Sequence, residues 1–388
     1  MKRSFDWPQI AAFRLARHHL LEQNQAEDRL RVNLVTVCQN VCGIQAQVMA
    51  AAELALWART RGLVRAEVHA ALYQSRTLVK TSCMRQTLHL IPAGDFSIYI
   101  NALKRSRSAA LRRIMSRFGI TPQETATLNH RVVEALGSGA KTQPELLQHI
   151  MTRAGKKLRA YLELTWSIQA FRPALVEGLI CYGPERGKKA TFVCADRWLP
   201  PQRAIDEEQA KQVLLRRYLK AYAPATLQDF CRWSGIAVLE ARPIWQALKN
   251  ELREIDVAGR QASVLDEDFL QLANGAKAGQ SVNLLPHFDS YLLGHVEKDH
   301  LVHPNYYQRV YRNQGWISPV VLLNGRAIGV WSYARQAHRW ALAIEPFEKF
   351  SKGVQAKIAA EAARLGDFLG VSWTIEFRAR QAVRSGRS

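Results

Sequence analysis

Three times along this chain, a run of helical character ends in short segments that alternate apolar and polar residues around a turn. That recurrence limits the folds open to it. In the first round, Ile10, Phe13, Leu15 and Leu20 fall at helical spacing over 8–23, and a polar break follows near 24–29. A segment over 34–41 then leads to an Ala- and Leu-rich helix ending at Arg59 and a short helix over 65–72. Residues 77–91 alternate and are rich in β-branched side chains, as a hairpin is. The second round reads as helices over 122–136 and 143–150 and a longer one over 161–176. Two strands over 179–194 follow, around a Gly/Pro turn that carries Arg186, Lys188 and Lys189. The third opens near Asp206 with a helix over 207–222. Thr226 and Asp229 fit a capping box for a helix through Trp233, a further helix covers 238–252, and 255–265 is the hairpin. Helices followed by a β-hairpin is the order of a winged helix, which binds DNA with one helix and a β wing. An α+β chain with three tandem winged helices is expected.

Beyond Ser281 the pattern changes. Segments 283–289, 318–331 and 339–344 are strand-like, and Asn324-Gly325 is a two-residue hairpin signal. A small β-barrel or sheet is the expected form, with an amphipathic helix over 353–369, a last strand over 371–377 and a loose basic tail over 378–388. The expected units are winged helix 1 over 1–100, a basic linker helix over 101–120, winged helix 2 over 121–203, winged helix 3 over 204–268 and the barrel-like domain over 269–388.

Charge narrows the partners. Lys and Arg number 54 against 33 Asp and Glu, a formal charge of +21 with a pI near 10.0. Such an excess calls for a polyanion, either nucleic acid or an anionic membrane surface. No apolar run approaches the roughly 18 residues that span a bilayer, and Met1 to Trp7 lacks the apolar core of a signal peptide. A cytosolic protein, in a bacterium one that reaches the nucleoid, is expected. Residues 101–118 carry Lys104, Arg105, Arg107, Arg112, Arg113 and Arg117 with no acidic residue, so a helix there would be cationic over most of its surface and suited to phosphate contact. The six cysteines include no C-x-x-C pair and read as reduced core thiols.

One stretch stands apart. Gly43 opens a turn, and Gln45 and Gln47 sit one residue apart where that turn becomes the helix. Neutral amides both donate and accept hydrogen bonds, and two aimed at one point can hold a water molecule. Such a pair equally serves as cap and turn residues. Arg85 and His89 are expected on one face of a strand, touching DNA or lining the sheet. His287 and Asp289 form either an acid–base pair or a satisfied polar pair at a strand end. His295, His300 and His303 lie in a loop context without a clear fourth ligand, so no metal is assigned. No cofactor is expected.

Several segments together resemble the AlkZ/YcaQ family of bacterial winged-helix DNA glycosylases. They are Ile44-Gln45-Ala46-Gln47 with its Ala-rich helix, Met84-Arg85-Gln86-Thr87-Leu88-His89-Leu90 and Tyr182-Gly183-Pro184-Glu185-Arg186-Gly187-Lys188-Lys189. Leu285-Pro286-His287-Phe288-Asp289-Ser290-Tyr291 through His295, and Gly315-Trp316-Ile317-Ser318-Pro319-Val320-Val321, complete the set in the family's order over nearly the whole chain. The resemblance implies three winged helices around a concave, basic channel with a C-terminal β-barrel. It implies removal of N7-alkylated guanine, including bulky adducts and, in some members, interstrand crosslinks. Gln45 and Gln47 become the catalytic pair, with His287, Asp289 and Tyr291 as supporting groups. Gln47 stands where a second branch carries a carboxylate, which places this chain nearer the branch associated with resistance to natural-product alkylators.

The chemistry is coherent. An N7-alkylated purine is cationic and leaves as a neutral base, so two amides need only position the water that attacks the sugar. The expected substrate is double-stranded DNA with alkylated guanine or adenine, with normal bases spared and little dependence on a snug flipped-base pocket. The expected protein is a monomer without lyase activity, since no lysine is singled out as a Schiff-base nucleophile. The rival is a non-catalytic winged-helix transcription regulator. Three modules in one chain, without an evident dimerisation helix or ligand domain, weigh against it.

Overall fold

The computed structural model describes residues 3–21, 33–164, 168–275, 280–336 and 339–378. The expected polar break at 24–29 and the basic tail beyond Arg378 lie outside those residues.

The chain starts with a short strand, β1 (Ser4–Phe5), and a helix, Trp7–Arg17, that opens on an Asp6/Gln9 capping box with Pro8 in its first turn. This helix stops well before residue 23. His19 takes φ 55°, and the Leu20 N–H bonds the Leu15 carbonyl at 2.8 Å, a left-handed helix ending usually given to glycine. With no glycine at that position, the sequence carried no stop signal. Helix Leu34–Asn40, β2 (Ile44–Gln45), and helices Met49–Trp57 and Arg65–His69 follow. The first hairpin is β3 (Leu78–Ser82) and β4 (Leu88–Pro92).

The second round runs through helices Phe96–Arg117 and Pro122–Ala135, β5 (Lys141–Thr142), and helices Gln143–Met151, Lys156–Leu164 and Arg172–Val176. It ends in β6 (Ile180–Arg186) and β7 (Lys189–Cys194). The single helix expected over 161–176 is not formed, because Pro173 sits in the first turn of Arg172–Val176. There its missing N–H costs nothing, whereas inside a longer helix its ring would clash with a carbonyl one turn back. The third round matches its expected order: Glu207–Tyr222, Leu227–Ser234 with the Thr226/Asp229 capping box, Val238–Ala247, then β8 (Leu252–Val257) and β9 (Arg260–Leu265).

The hairpins do not stay separate. A six-stranded sheet ordered β2-β4-β3-β6-β7-β5 joins the first two through the Lys80–Tyr182 pair, while β1 pairs in parallel with β8. The apolar cores follow the same cross-links. Trp57 and Leu54 of the first unit share a core with Leu284, Val321 and Leu342 near the C-terminus. Phe5, Ile10 and Phe13 pack with Tyr218, Phe230 and Val257 of the third unit. Leu128, Ile150, Phe171 and Phe192 centre the second. All six cysteines are free thiols, five of them buried.

Of the two expected C-terminal forms, the structure has the sheet: the barrel-like domain that the resemblance implied is not closed. Strands β10 (Val282–Leu285), β11 (Val320–Leu323), β12 (Arg326–Gln336), β13 (Arg339–Pro346) and β14 (Trp373–Phe377) lie in sequence order, with no β10–β14 pairing among the described residues. Helix Lys352–Leu369 carries the chain back, so β14 runs parallel to β13. Val354, Ile358, Ala362 and Leu365 of that helix bury the sheet's apolar face, the task that closure would otherwise perform.

Asp289 is part of the scaffold rather than of an acid–base pair with His287. Its carboxylate accepts from Arg59 Nη1 at 2.8 Å and Nη2 at 2.7 Å, with both side chains at 0% exposure. Tyr291 is likewise buried, its backbone N–H capped by Asp289 and its hydroxyl directed at the Gly325 carbonyl. Removing one partner of such a pair strands a charge in the interior. Asp289→Ala should therefore lower the unfolding free energy measured by urea titration by about 3–5 kcal/mol.

Candidate active site

Gly43 adopts φ +90°, and a Cβ there would meet Ile91 Cγ2 at 3.1 Å, so only glycine makes this turn without strain. The chain then runs extended beside β4, with Ile44 opposite Leu90 and Gln45 opposite His89. The Ala46 N–H donates to the Leu88 carbonyl at 2.6 Å. Helix Met49–Trp57 begins only after Val48, which makes no side-chain cap. Gln45 is thus the last residue of β2 and Gln47 sits in the bend that follows it, so neither is in a first helical turn. Both reach the same stretch of the first hairpin: Gln45 lies opposite His89, and the Gln47 side chain meets the Leu88 N–H.

Gln45 is 9% exposed, and its Oε1 accepts from Arg85 Nη2 at 3.1 Å. Gln47 is exposed, and its Oε1 accepts from the Leu88 N–H at 3.4 Å. Each amide oxygen retains a second lone pair, and each NH2 group is left to donate. His89, opposite Gln45, is 3% exposed. Its Nδ1–H donates to the Thr87 carbonyl at 3.0 Å, which leaves Nε2 as the acceptor. Burial, then the nearby Arg85 charge, pushes its pKa down to about 3, so the ring is neutral at neutral pH.

Arg85 does not share a strand face with His89. It lies in the tight turn Met84–Gln86 with φ 52°, and its guanidinium points inward. Nη1 donates to the Trp233 carbonyl in the third unit while Nη2 holds Gln45. Burial lowers its pKa to about 10, which still leaves it charged. Nothing in the sequence signalled a contact that crosses 148 positions.

The profile of the family described as DNA glycosylase AlkZ-like matches residues 38–368. The chain belongs to the AlkZ-like DNA glycosylase family. A curated relative from Streptomyces sahachiroi, an interstrand DNA cross-link repair glycosylase, is 31% identical over 377 residues, which span 94% of this chain and 97% of that protein. The solved structure of Streptomyces sahachiroi DNA glycosylase AlkZ matches with a TM-score of 0.83 at 30% identity, covering 98% of this chain and 100% of that one. The protein is therefore a DNA glycosylase and its substrate is DNA. Among the described residues, no helix is long and apolar enough to cross a membrane.

For a glycosylase the cationic side chains matter by exposure. On helix Phe96–Arg117, Arg105, Arg112 and Arg113 are exposed and make no ion pair among the described residues. Lys104 is engaged by Glu177 at 2.6 Å. Arg107 faces inward at 4% exposure, with Nε and Nη1 unpartnered, so the helix is cationic on its outer face only. Lys188 and Lys189 are exposed at the β6–β7 turn, while exposed Arg186 bonds Glu145 at 2.8 Å.

His287 donates from Nδ1 to the Ile317 carbonyl at 2.8 Å and meets Trp316 edge-on. It lines a cleft of about 950 Å³ with Val48, Ala50, Arg312, Trp331 and Tyr333, beginning at the residue after Gln47. Of the other three candidate histidines, His295 and His300 meet edge to face at 5.2 Å, with His295 Nε2 bonded to the Tyr222 carbonyl at 2.8 Å and His300 stacked on Trp7 at 4.6 Å, while His303 Nδ1 accepts from the Asn305 N–H.

Two outcomes follow from these placements. Replacing Arg105, Arg112 and Arg113 together with alanine should reduce the slope of log binding constant against log salt by about 2–3, measured on duplex DNA, whereas three surface arginines away from DNA would leave it unchanged. Acid should destabilise the fold through its buried neutral histidines. His89 at about 3 and His300 at about 2 are depressed by burial below an ordinary 6.5, so the unfolded chain binds more protons. Stability is then complete above about pH 6.5 and falls as pH drops toward those values, by up to about 1.4 kcal/mol per pH unit for each group. Urea titrations at pH 7.5 and 5 should show the loss, and His300→Gln should shrink it.

Proposed function

We propose that the protein hydrolyses the N-glycosidic bond of N7-alkylated, cationic purines in duplex DNA, with Gln45 and Gln47 placing the attacking water. One observation carries this: two neutral amides beside the start of β4, each with its oxygen already engaged by a protein donor. A water between them can accept from one NH2 and donate to the spare lone pair of the other oxygen. An amide cannot take the water's proton, which restricts the reaction to bases that already carry a positive charge and leave without further activation.

The three helix-and-hairpin units act as winged helices around a basic channel. Arg105, Arg112 and Arg113, with Lys188 and Lys189, supply phosphate contacts that position the duplex without reading its sequence. The cleft beginning at Val48 accommodates bulk attached at N7, so large adducts and interstrand crosslinks fall within the substrate range. The relative described as a cross-link repair glycosylase supports that range. The protein works as a monomer, without a cofactor, in repair or in self-resistance to alkylating natural products.

The test is incubation with duplex DNA containing N7-methylguanine, then heating in alkali to cleave abasic sites. Wild type should release the methylated base and leave unmodified purines untouched. The Gln45→Ala/Gln47→Ala double variant should be slower by at least about 100-fold, the scale of loss when a reactant is no longer positioned. Excision at an undiminished rate by that variant would refute the assignment.

A further inference from the structure

We propose that Arg85 is a positioning residue for the glycosylase reaction: it locks the Gln45 amide in one orientation and couples it to the third helical unit, instead of contacting DNA. The proposal rests on the assignment of Gln45 to water placement.

Arginine carries only donors, so the Gln45 oxygen must face the guanidinium and the NH2 must face away. Rotating the amide by half a turn would set NH2 against N–H, donor against donor. Gln45 therefore has one stable orientation. A charged donor also polarises the amide it holds and strengthens the outward N–H groups. Without this contact, an amide torsion is soft and both orientations are open.

The arginine is itself held. Its turn is closed by the Cys83 N–H to the Thr87 carbonyl at 2.9 Å and by Thr87 Oγ1 to the Met84 carbonyl at 3.1 Å. Arg85 and Gln86 both take positive φ, at 52° and 63°. From the other side, Gly235 ends helix Leu227–Ser234 with φ +82°, and a Cβ there would lie 3.2 Å from the Arg85 nitrogen and 3.3 Å from its Cα. The end of the third unit's helix thus presses on the turn backbone while the Trp233 carbonyl anchors the guanidinium. A guanidinium committed to two protein acceptors is poorly placed to grip a phosphate.

Single-turnover excision of N7-methylguanine from duplex DNA at saturating protein tests the proposal, with Kd for the same duplex measured alongside. Arg85→Ala should slow excision about 10–100-fold, as loss of a hydrogen bond to a charged group does, while Kd moves less than about 3-fold. Because Arg85 acts through Gln45, the Arg85→Ala/Gln45→Ala double variant should be no slower than Gln45→Ala alone. Multiplying losses in the double variant would overturn the proposal. So would a weakened Kd with undiminished excision, the mark of a phosphate contact. Should Arg85→Ala fail to fold, Arg85→Lys decides: its compact ammonium cannot reproduce the two-armed bridge, and excision should fall about 5-fold or more. Wild-type excision by Arg85→Lys would overturn the proposal. If Gln45→Ala itself excises at the wild-type rate, the assignment of Gln45 has failed and this proposal falls with it. That outcome is distinct from a slow Gln45→Ala beside a fast Arg85→Ala.

Discussion

The backbone pairing of residues 44–46 with 88–90 is the contact on which the candidate site depends. The Ala46 N–H to Leu88 carbonyl bond carries the pairing one residue past the end of β2, which keeps both glutamines beside β4 and out of the helix. Had the helix started three residues earlier, the two side chains would diverge, because positions i and i+2 of a helix do not face each other. Gly43 makes the pairing reachable by turning the chain where a side chain would strike Ile91. The same ladder sets His89 beside Gln45 and delivers the Met84–Gln86 turn to the glutamine's other flank.

Around this ladder the molecule is braced by contacts between segments remote in sequence. The Arg59–Asp289 pair ties the end of the Ala-rich helix to the segment after β10. Arg14 Nη2 donates to the Pro224 carbonyl at 2.8 Å, and β1 pairs with β8, which binds the N-terminal helix to the third unit. Each brace satisfies polar groups that would otherwise be stranded in the interior, so each costs stability when only one partner is removed. A site that works by positioning profits from such bracing, since small displacements of the positioned groups are expensive.

Much of the element order was readable in advance because the signals are local. The Thr226/Asp229 capping box, the hairpin over 179–194 and the Asn324-Gly325 turn depend on neighbours within a few residues. The errors came where a local signal was missing or a distant one prevailed. His19 ends a helix in a conformation that glycine normally marks, with its ring against the Asn40 side chain. A run of strands invited a barrel, but helix Lys352–Leu369 covers the sheet instead. Arg107 carries the same charge as Arg105, yet two positions on a helix turned it into the interior.

What the sequence determined by itself was a strongly cationic, mixed α+β chain of repeated helix-and-hairpin units with a Gln-x-Gln motif after a glycine turn, since charge, periodicity and turn chemistry are properties of short stretches. Tertiary structure alone decided that the motif straddles a strand end and a bend, that Asp289 is an interior counter-ion, and that Arg85 faces Gln45 rather than solvent. Those outcomes turn on which buried donors find which acceptors. Gln45, Arg85 and Trp233 are far apart along the chain, and only the folded packing brings them within hydrogen-bond reach.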